Sequence, residues 1–243
     1  MTIRNDRPKL CDGLLQNPVL REIIESNQVT HPDGRVFKLS SGISTEEANA
    51  LYGLVREQKP DVCIEIGMAY GISTLTILTG LEHNGVGSLI SIDPYEGWES
   101  GMAVALANVE RAGYSGRHRH IRLPSYLALP KLIEGKTHAQ LCYIDGMHTF
   151  DHAFLDFFYS DKLLEVGGVV GFDDAGWRSV WRVIRFLLTH RHYQEIDVGL
   201  QRTYRGRNVA AKFVKWLTDR QSQNRFFRKL DTWEPPFSYY RHF

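Results

Sequence analysis

The chain has no disulfide framework. Its three cysteines, Cys11, Cys63 and Cys142, form no C-x-x-C pair and no Cys/His spacing suited to zinc. Cys63 and Cys142 lie inside apolar runs, the ordinary place for a reduced, buried thiol. Charge of one sign is also missing: 29 Lys and Arg against 28 Asp and Glu give a net charge of +1, which offers no general attraction to nucleic acid or to a membrane surface. No apolar run approaches the ~18 residues of a membrane span, and Met1–Pro8 lack the apolar stretch of a secretory signal. The expectation is a cytoplasmic protein without membrane or nucleic-acid partners. With 243 residues, 43% of them hydrophobic, it can bury the core of one α/β domain and an additional element or two.

Residues 1–43 read as an N-terminal extension, with a short helix over Leu14–Ser26 and a hairpin over Val29–Leu39 that turns at His31-Pro32-Asp33-Gly34. Ser44-Thr45-Glu46-Glu47 is a capping box for a helix running to Gln58, and Pro60 ends it. Strands and helices then alternate. Strands are expected at Asp61–Ile66, Ser88–Ile92, Arg119–Leu123, Gln140–Ile144, Gly168–Phe172 and His192–Val198. Helices are expected between them at Ser73–Leu81, Ala103–Ala112, Tyr126–Ile133, Phe150–Leu164 and Val180–His190. This alternation predicts a parallel sheet with helices on both faces. In the tail, residues 205–243, Val209–Trp216 suits either a seventh, antiparallel strand turning back at Arg205-Gly206 or the start of a helix. The tail carries nine Lys/Arg against three Asp/Glu and nine aromatics, and it reads first as a packing element on the domain or on a partner subunit, with a substrate lid second. The division is 1–43, 44–204 and 205–243, and a homo-oligomer is compatible with it.

Two acidic segments close apolar runs. Leu141-Cys142-Tyr143-Ile144 ends in Asp145-Gly146-Met147-His148, and Gly168–Phe172 ends in Asp173-Asp174. Carboxylates at the C-terminal ends of neighbouring parallel strands meet in the crevice where such sheets bind ligands. Three carboxylates and an imidazole there suit a hard divalent cation with a general base beside it. Upstream, Val62-Cys63-Ile64-Glu65-Ile66-Gly67-Met68-Ala69-Tyr70-Gly71-Ile72-Ser73 is a strand, a glycine turn and a helix start. Its spacing is G-x-x-x-G, which is neither the dinucleotide fingerprint nor a P-loop. The next strand ends in Asp93, 26 residues after Gly67, where an acid can accept hydrogen bonds from both ribose hydroxyls of a nucleoside.

Glu65-x-Gly67-x-x-x-Gly71 followed by Asp93 resembles the S-adenosylmethionine (SAM) site of class I methyltransferases, over roughly residues 44–200. The resemblance implies a Rossmann-like, doubly wound, mostly parallel seven-stranded sheet, here with an N-terminal extension and an aromatic, basic C-terminal tail. It places Glu65, Gly67, Gly71 and Ser73 by the methionine part, Asp93 on the ribose and Leu123-Pro124-Ser125 by the adenine, with Asp145 at the edge of the cofactor. Asp145-x-x-His148 with Asp173-Asp174 is similar to the metal-dependent O-methyltransferases, within them the macrolide-sugar O-methyltransferase and cephalosporin-hydroxylase-like subgroup. That likeness implies Mg²⁺ on Asp145, Asp173 and Asp174, and His148 as catalytic base with His152 next in line. The implied acceptor is a hydroxyl on a small molecule such as a sugar, a diol or a catechol-like ring. Tyr95, Trp98, Met102, Trp177 and Arg178 lie on loops at the same crevice edge, where they either shape the acceptor pocket or simply cover the core. Asp93-Pro94-Tyr95 is like the amino-methylating motif only superficially, since that motif belongs after the fourth strand. The rival reading is a SAM- or nucleoside-binding protein of a tailoring or hydroxylation complex that transfers no methyl group.

Overall fold

In the computed structural model, which describes residues 9–243, the extension begins with two helices where periodicity suggested one. They are α1 (Asp12–Leu15) and α2 (Pro18–Ser26). Pro18 disfavours helical backbone at Asn17, which becomes an N-cap instead, its side-chain oxygen accepting from the Val19 and Leu20 amides at 3.0 Å. The Asn17 amide nitrogen also donates to Thr79 Oγ1 at 2.9 Å, tying the extension to the domain. The hairpin forms as expected, β1 (Gln28–Thr30) against β2 (Val36–Lys38). Helix α3 (Thr45–Gln58) opens with the capping box, Ser44 and Glu47 bonding each other's backbone amides.

The alternating segment gives β3 (Val62–Ile66), α4 (Ile72–Asn84), β4 (Ser88–Ile92), α5 (Glu99–Arg111), β5 (His118–Ile121), α6 (Ser125–Glu134), β6 (Ala139–Ile144), α7 (Phe150–Leu163), β7 (Leu164–Phe172), α8 (Arg178–His190) and β8 (Tyr193–Ile196). The tail adds α9 (Val209–Leu217) and β9 (Arg225–Lys229). The seven-stranded sheet has the order β5-β4-β3-β6-β7-β9-β8, with β9 antiparallel to both neighbours and the remaining adjacent pairs parallel.

The seventh strand is therefore not Val209–Trp216. That segment is a helix capped by Asn208, whose side chain accepts from the Ala211 amide at 2.8 Å. The strand is Arg225–Lys229, and it lies inside the sheet with charged residues at both ends. Their burial is compensated: Arg225 makes a two-pronged bond to Glu195 at 2.7 and 2.6 Å, and Lys229 reaches Asp161 and the Leu164 carbonyl. The aromatic tail beyond it packs on α8, with Tyr239 and Phe243 against His190 and Trp233 stacked on His192. Helix α9 buries none of its residues, and Phe213, Trp216 and Leu217 are exposed. Among the described residues no helix is long and apolar enough to cross a membrane.

Side chains alternate across the sheet into two cores. Cys63, Leu141, Val169 and Phe226 face the side of α2 to α5, whereas Ile64, Cys142, Val170 and Phe227 face α6, α7 and α8. Burial on both faces is why these strands read as continuous apolar runs.

Candidate active site

Parallel pairing continues one residue past the strands. Gly67 N–H donates to the Ile92 carbonyl, Asp145 N–H to Ile66 and Asp173 N–H to Ile144, at 2.8–2.9 Å. With the registers Ile66↔Ile92, Ile66↔Ile144 and Ile144↔Phe172, the residues Asp93, Gly67, Asp145 and Asp173 form one row across the C-terminal edge. The chain runs from β3 outward to β4 and β5, then returns to place β6 on the other side of β3. That switch point is where a doubly wound sheet opens a crevice.

A cleft of about 550 Å³ lies there. Gly67 to Tyr70, Ile72 and Ser73 form one wall and Asp93, Pro94 and Trp98 another; Pro124 to Tyr126 and Asp145 to His148 close it. What needs glycine at 67 is the neighbouring strand: with φ +88°, an added Cβ would stand 2.0 Å from the Asp145 carbonyl oxygen. Gly71 has φ +85° but would meet only Ala105, at 3.6 Å, and does not itself line the cleft. Gly67→Ala is accordingly expected to destabilise by roughly 3 kcal/mol or more, strain and backbone overlap adding, and Gly71→Ala by about 1–2 kcal/mol from strain alone. Urea unfolding of the two variants measures this, and equal losses would contradict it.

Asp93 does two jobs. Its Oδ2 accepts from the Met68 and Ala69 amides at 2.9 and 3.3 Å and its Oδ1 from Tyr95 at 2.9 Å, so it fixes the glycine turn while lining the cleft. Oδ1 keeps a lone pair for a further donor, whereas Oδ2 is taken up by the two turn amides. Ala69 and Tyr95 both have left-handed backbone (φ +46° and +49°), held by a 2.6 Å bond from the Tyr95 hydroxyl to the Ala69 carbonyl. Tyr95 is thus a buried brace, while Trp98 is the aromatic that lines the cleft. Glu65 stands outside the lining: fully buried, it accepts from Thr74 and Ser91 at 2.7 Å, and burial raises its pKa to about 6. Its place is under the turn, holding α4 to β4.

At the other end Asp145, His148 and Asp173 each offer a ligand atom, all within 4.8 Å of one another. Burial and their mutual proximity push both carboxyls well above the usual range. His148 Nε2 lies 3.6 Å from Asp145 and its Nδ1 3.7 Å from Asp174, both beyond hydrogen-bonding distance. That Nε2 is buried with no partner among the described residues. Trp177, otherwise exposed, tilts over the imidazole with ring centres 5.4 Å apart, and Ser179 donates to the His148 carbonyl. Asp174, at φ +48°, joins through His148 rather than through the other two acids.

Three further residues hold this cluster. Asn224 donates its amide to Asp173 (2.6 Å) and Glu47 (3.1 Å), with the nitrogen assigned from the surrounding acceptors, and the buried Tyr143 hydroxyl lies 3.1 Å from Asp173. Glu47 comes from the capping box of α3 and Asn224 from the turn before β9, so no spacing in the sequence joins them to Asp173. Asp156 on α7, which also lines the cleft, did leave a signal: it is one of two acids, with Asp161, on the buried stripe of Ala153, Phe157, Ser160 and Leu163. Ser125 and His152 line the same end as Asp156.

Comparison with known proteins agrees with this layout. The family described as "Methyltransferase domain" matches residues 64–175. A candidate caffeoyl-CoA O-methyltransferase of Arabidopsis thaliana is 27% identical over 135 residues, which cover 56% of this chain and 55% of that protein. The chain thus spans about half the length of the curated relative it matches. An O-methyltransferase from Bacillus cereus, solved in complex with SAH, superposes with a TM-score of 0.62 at 17% identity, covering 92% of this chain and 93% of that one. The Streptomyces achromogenes O-methyltransferase involved in tomaymycin synthesis, in complex with SAM, gives 0.61 at 17% identity over 92% of each chain. Residues 64–175 thus match a methyltransferase-domain family, and the chain shares the fold of these solved O-methyltransferases.

Proposed function

We propose that this protein is a divalent-metal-dependent O-methyltransferase that moves the methyl group of SAM to a hydroxyl of a small molecule, such as a sugar, a diol or a catechol-like ring. The observation that carries the reading is the row of Asp93, Gly67, Asp145 and Asp173, which sets a nucleoside-sized cleft directly beside a cluster of half-buried acids. The names of the Arabidopsis relative and of the two structural neighbours point the same way. Reduced, buried Cys63 and Cys142 fit a cytoplasmic location.

The residues fit both groups. For SAM, Asp93 keeps a lone pair on Oδ1 for a ribose hydroxyl, and the glycine turn with the start of α4 offers backbone donors. For a cation, two half-buried carboxyls facing each other, with an imidazole nitrogen beside them that has no partner among the described residues, form a cluster lacking its central charge. Asp145 and Asp173 would hold a hard ion such as Mg²⁺, with Asp174 completing the oxygen side and His148 adjoining. Such an ion would lower the pKa of the acceptor hydroxyl and fix its direction toward the methyl group. The chain does the rest. Trp98, Met147 and Trp177 wall the acceptor side, His148 takes the hydroxyl proton as the new O–C bond forms, and the rigid strand ends keep donor and acceptor in line.

Calorimetry with SAM, SAH and NAD, with and without Mg²⁺, tests the reading. SAM and SAH should bind and NAD should not. Mg²⁺ should bind with proton release, because the carboxyls at Asp145 and Asp173 must ionise to hold it. SAM binding with no detectable Mg²⁺ site would remove the metal and leave the cofactor.

A further inference from the structure

We propose that Asn224 is a positioning residue that makes Asp173 a one-oxygen ligand and so sets a preference for Mg²⁺ over Ca²⁺; the inference rests on the cation reading above. Asn224 lies in the turn before β9 and is 4% exposed. Every polar atom of its amide is engaged. The oxygen accepts from the Tyr143 hydroxyl at 2.7 Å, and the nitrogen donates to Asp173 Oδ1 at 2.6 Å and to Glu47 Oε1 at 3.1 Å. An amide turned the other way would set its oxygen against two carboxylates. Both outer anchors are fixed. Tyr143 is fully buried on β6 and stacked on Phe226. Glu47 is held in the capping box, its Oε2 accepting from the Ser44 amide at 2.9 Å, while its Oε1 also accepts from the Asn224 backbone amide at 3.3 Å.

The clamp acts on one oxygen of Asp173. The Asn224 amide at 2.6 Å and the Tyr143 hydroxyl at 3.1 Å both stand against Oδ1. Tyr143 has one proton to give, and the shorter contact, to the Asn224 oxygen, takes it. A cation reaching Oδ1 would have to displace the amide and push past the hydroxyl. Oδ2 is the oxygen left for the cluster that Asp173 forms with Asp145 and His148. A carboxylate pinned in this way binds through one oxygen only. That suits Mg²⁺, which demands a tight octahedron of ligands and seldom yields its geometry. It works against Ca²⁺, which is larger, gathers more oxygens and often takes both from one carboxylate.

The test is calorimetric titration of the full chain, with SAH present, by Mg²⁺ and by Ca²⁺ in turn. The wild type should bind Mg²⁺ the more tightly. Asn224→Ala should weaken Mg²⁺ roughly 10- to 100-fold, the range for a group that supports a metal ligand, and Ca²⁺ by only a few-fold, so the preference narrows. SAH affinity should stay within several-fold, because Asn224 is not among the residues lining the cofactor cleft. Tyr143→Phe keeps the ring and its stacking but opens one side of Oδ1 and removes the group that orients the amide. It should narrow the preference in the same direction by a smaller factor, and it decides alone if Asn224→Ala fails to fold. A purely structural role for Asn224 would weaken both cations in parallel and keep the preference. That result, or a wild type that binds Ca²⁺ at least as tightly as Mg²⁺, overturns the assignment and leaves the cation site standing. A wild type that binds neither cation removes the cation reading and this inference with it.

Discussion

Asp173→Ala is expected to lose turnover by at least about 100-fold while SAH affinity stays within several-fold, since removing a metal ligand costs more than the 10- to 100-fold seen for supporting groups. The separation follows from position. Asp173 joins the acid cluster but does not line the cleft, whereas Asp93 and the glycine turn are untouched. The variant should remain folded. It removes a half-buried acid crowded against Asp145, a relief, and leaves the Tyr143 hydroxyl and Asn224 amide without one partner, a cost of about 1–3 kcal/mol. The metal-free wild type carries a pH signature of the same pair. Both folded-state pKa values are raised, so the folded protein binds more protons than the unfolded chain. The pair's contribution to stability is then greatest at low pH and falls as pH rises from about 4, the unfolded Asp value, through the higher folded values. Mg²⁺ should restore it by replacing the bound protons, and Asp173→Ala should flatten both effects. Thermal unfolding across pH, with and without Mg²⁺, reads all three. Full activity of Asp173→Ala in chelator would end the metal mechanism.

The sheet was legible because its strands are buried on both faces and its turns carry glycine, proline and acid at the strand ends. Each of Gly67, Asp93, Asp145 and Asp173 closes an apolar run, and the parallel register then places them in one row without further instruction. Legibility fails where tertiary partners override local pattern. Arg225–Lys229 is an interior strand whose charges are satisfied by Glu195, Asp219, Asp161 and the Leu164 carbonyl, residues distant in sequence. Val209–Leu217 is apolar enough to be either element, and Asn208 as its cap was the clue. The supporting residues Glu47, Asn224 and Tyr143 were hidden for the same reason. Glu47 already had a sufficient local purpose in the capping box, which masked its second contact with Asn224.

His148→Ala is expected to lower kcat by roughly 100- to 10,000-fold, the range for a positioned general base, with KM for the acceptor changing only a few-fold. The geometry leaves its Nε2 free to take a proton: at the cleft, without a partner among the described residues, and 3.6 Å from Asp145. Asp174 at 3.7 Å from Nδ1 would stabilise the imidazolium that results, and Trp177 holds the ring plane. The same atom is also within reach of the cation site, so turnover alone does not separate base from ligand. Two readouts do. A base leaves Mg²⁺ affinity within several-fold on substitution and removes the acidic limb of the pH–kcat profile, because the group whose deprotonation that limb reports is gone. A ligand lowers Mg²⁺ affinity roughly in step with turnover and leaves the limb in place. The expected result is the first, since the hard ion is better served by the carboxylates of Asp145, Asp173 and Asp174 than by an imidazole. An unchanged pH profile with unchanged Mg²⁺ affinity would deprive His148 of either role and move the search for the base to His152, which lines the same cleft and bonds Thr149 at 3.0 Å.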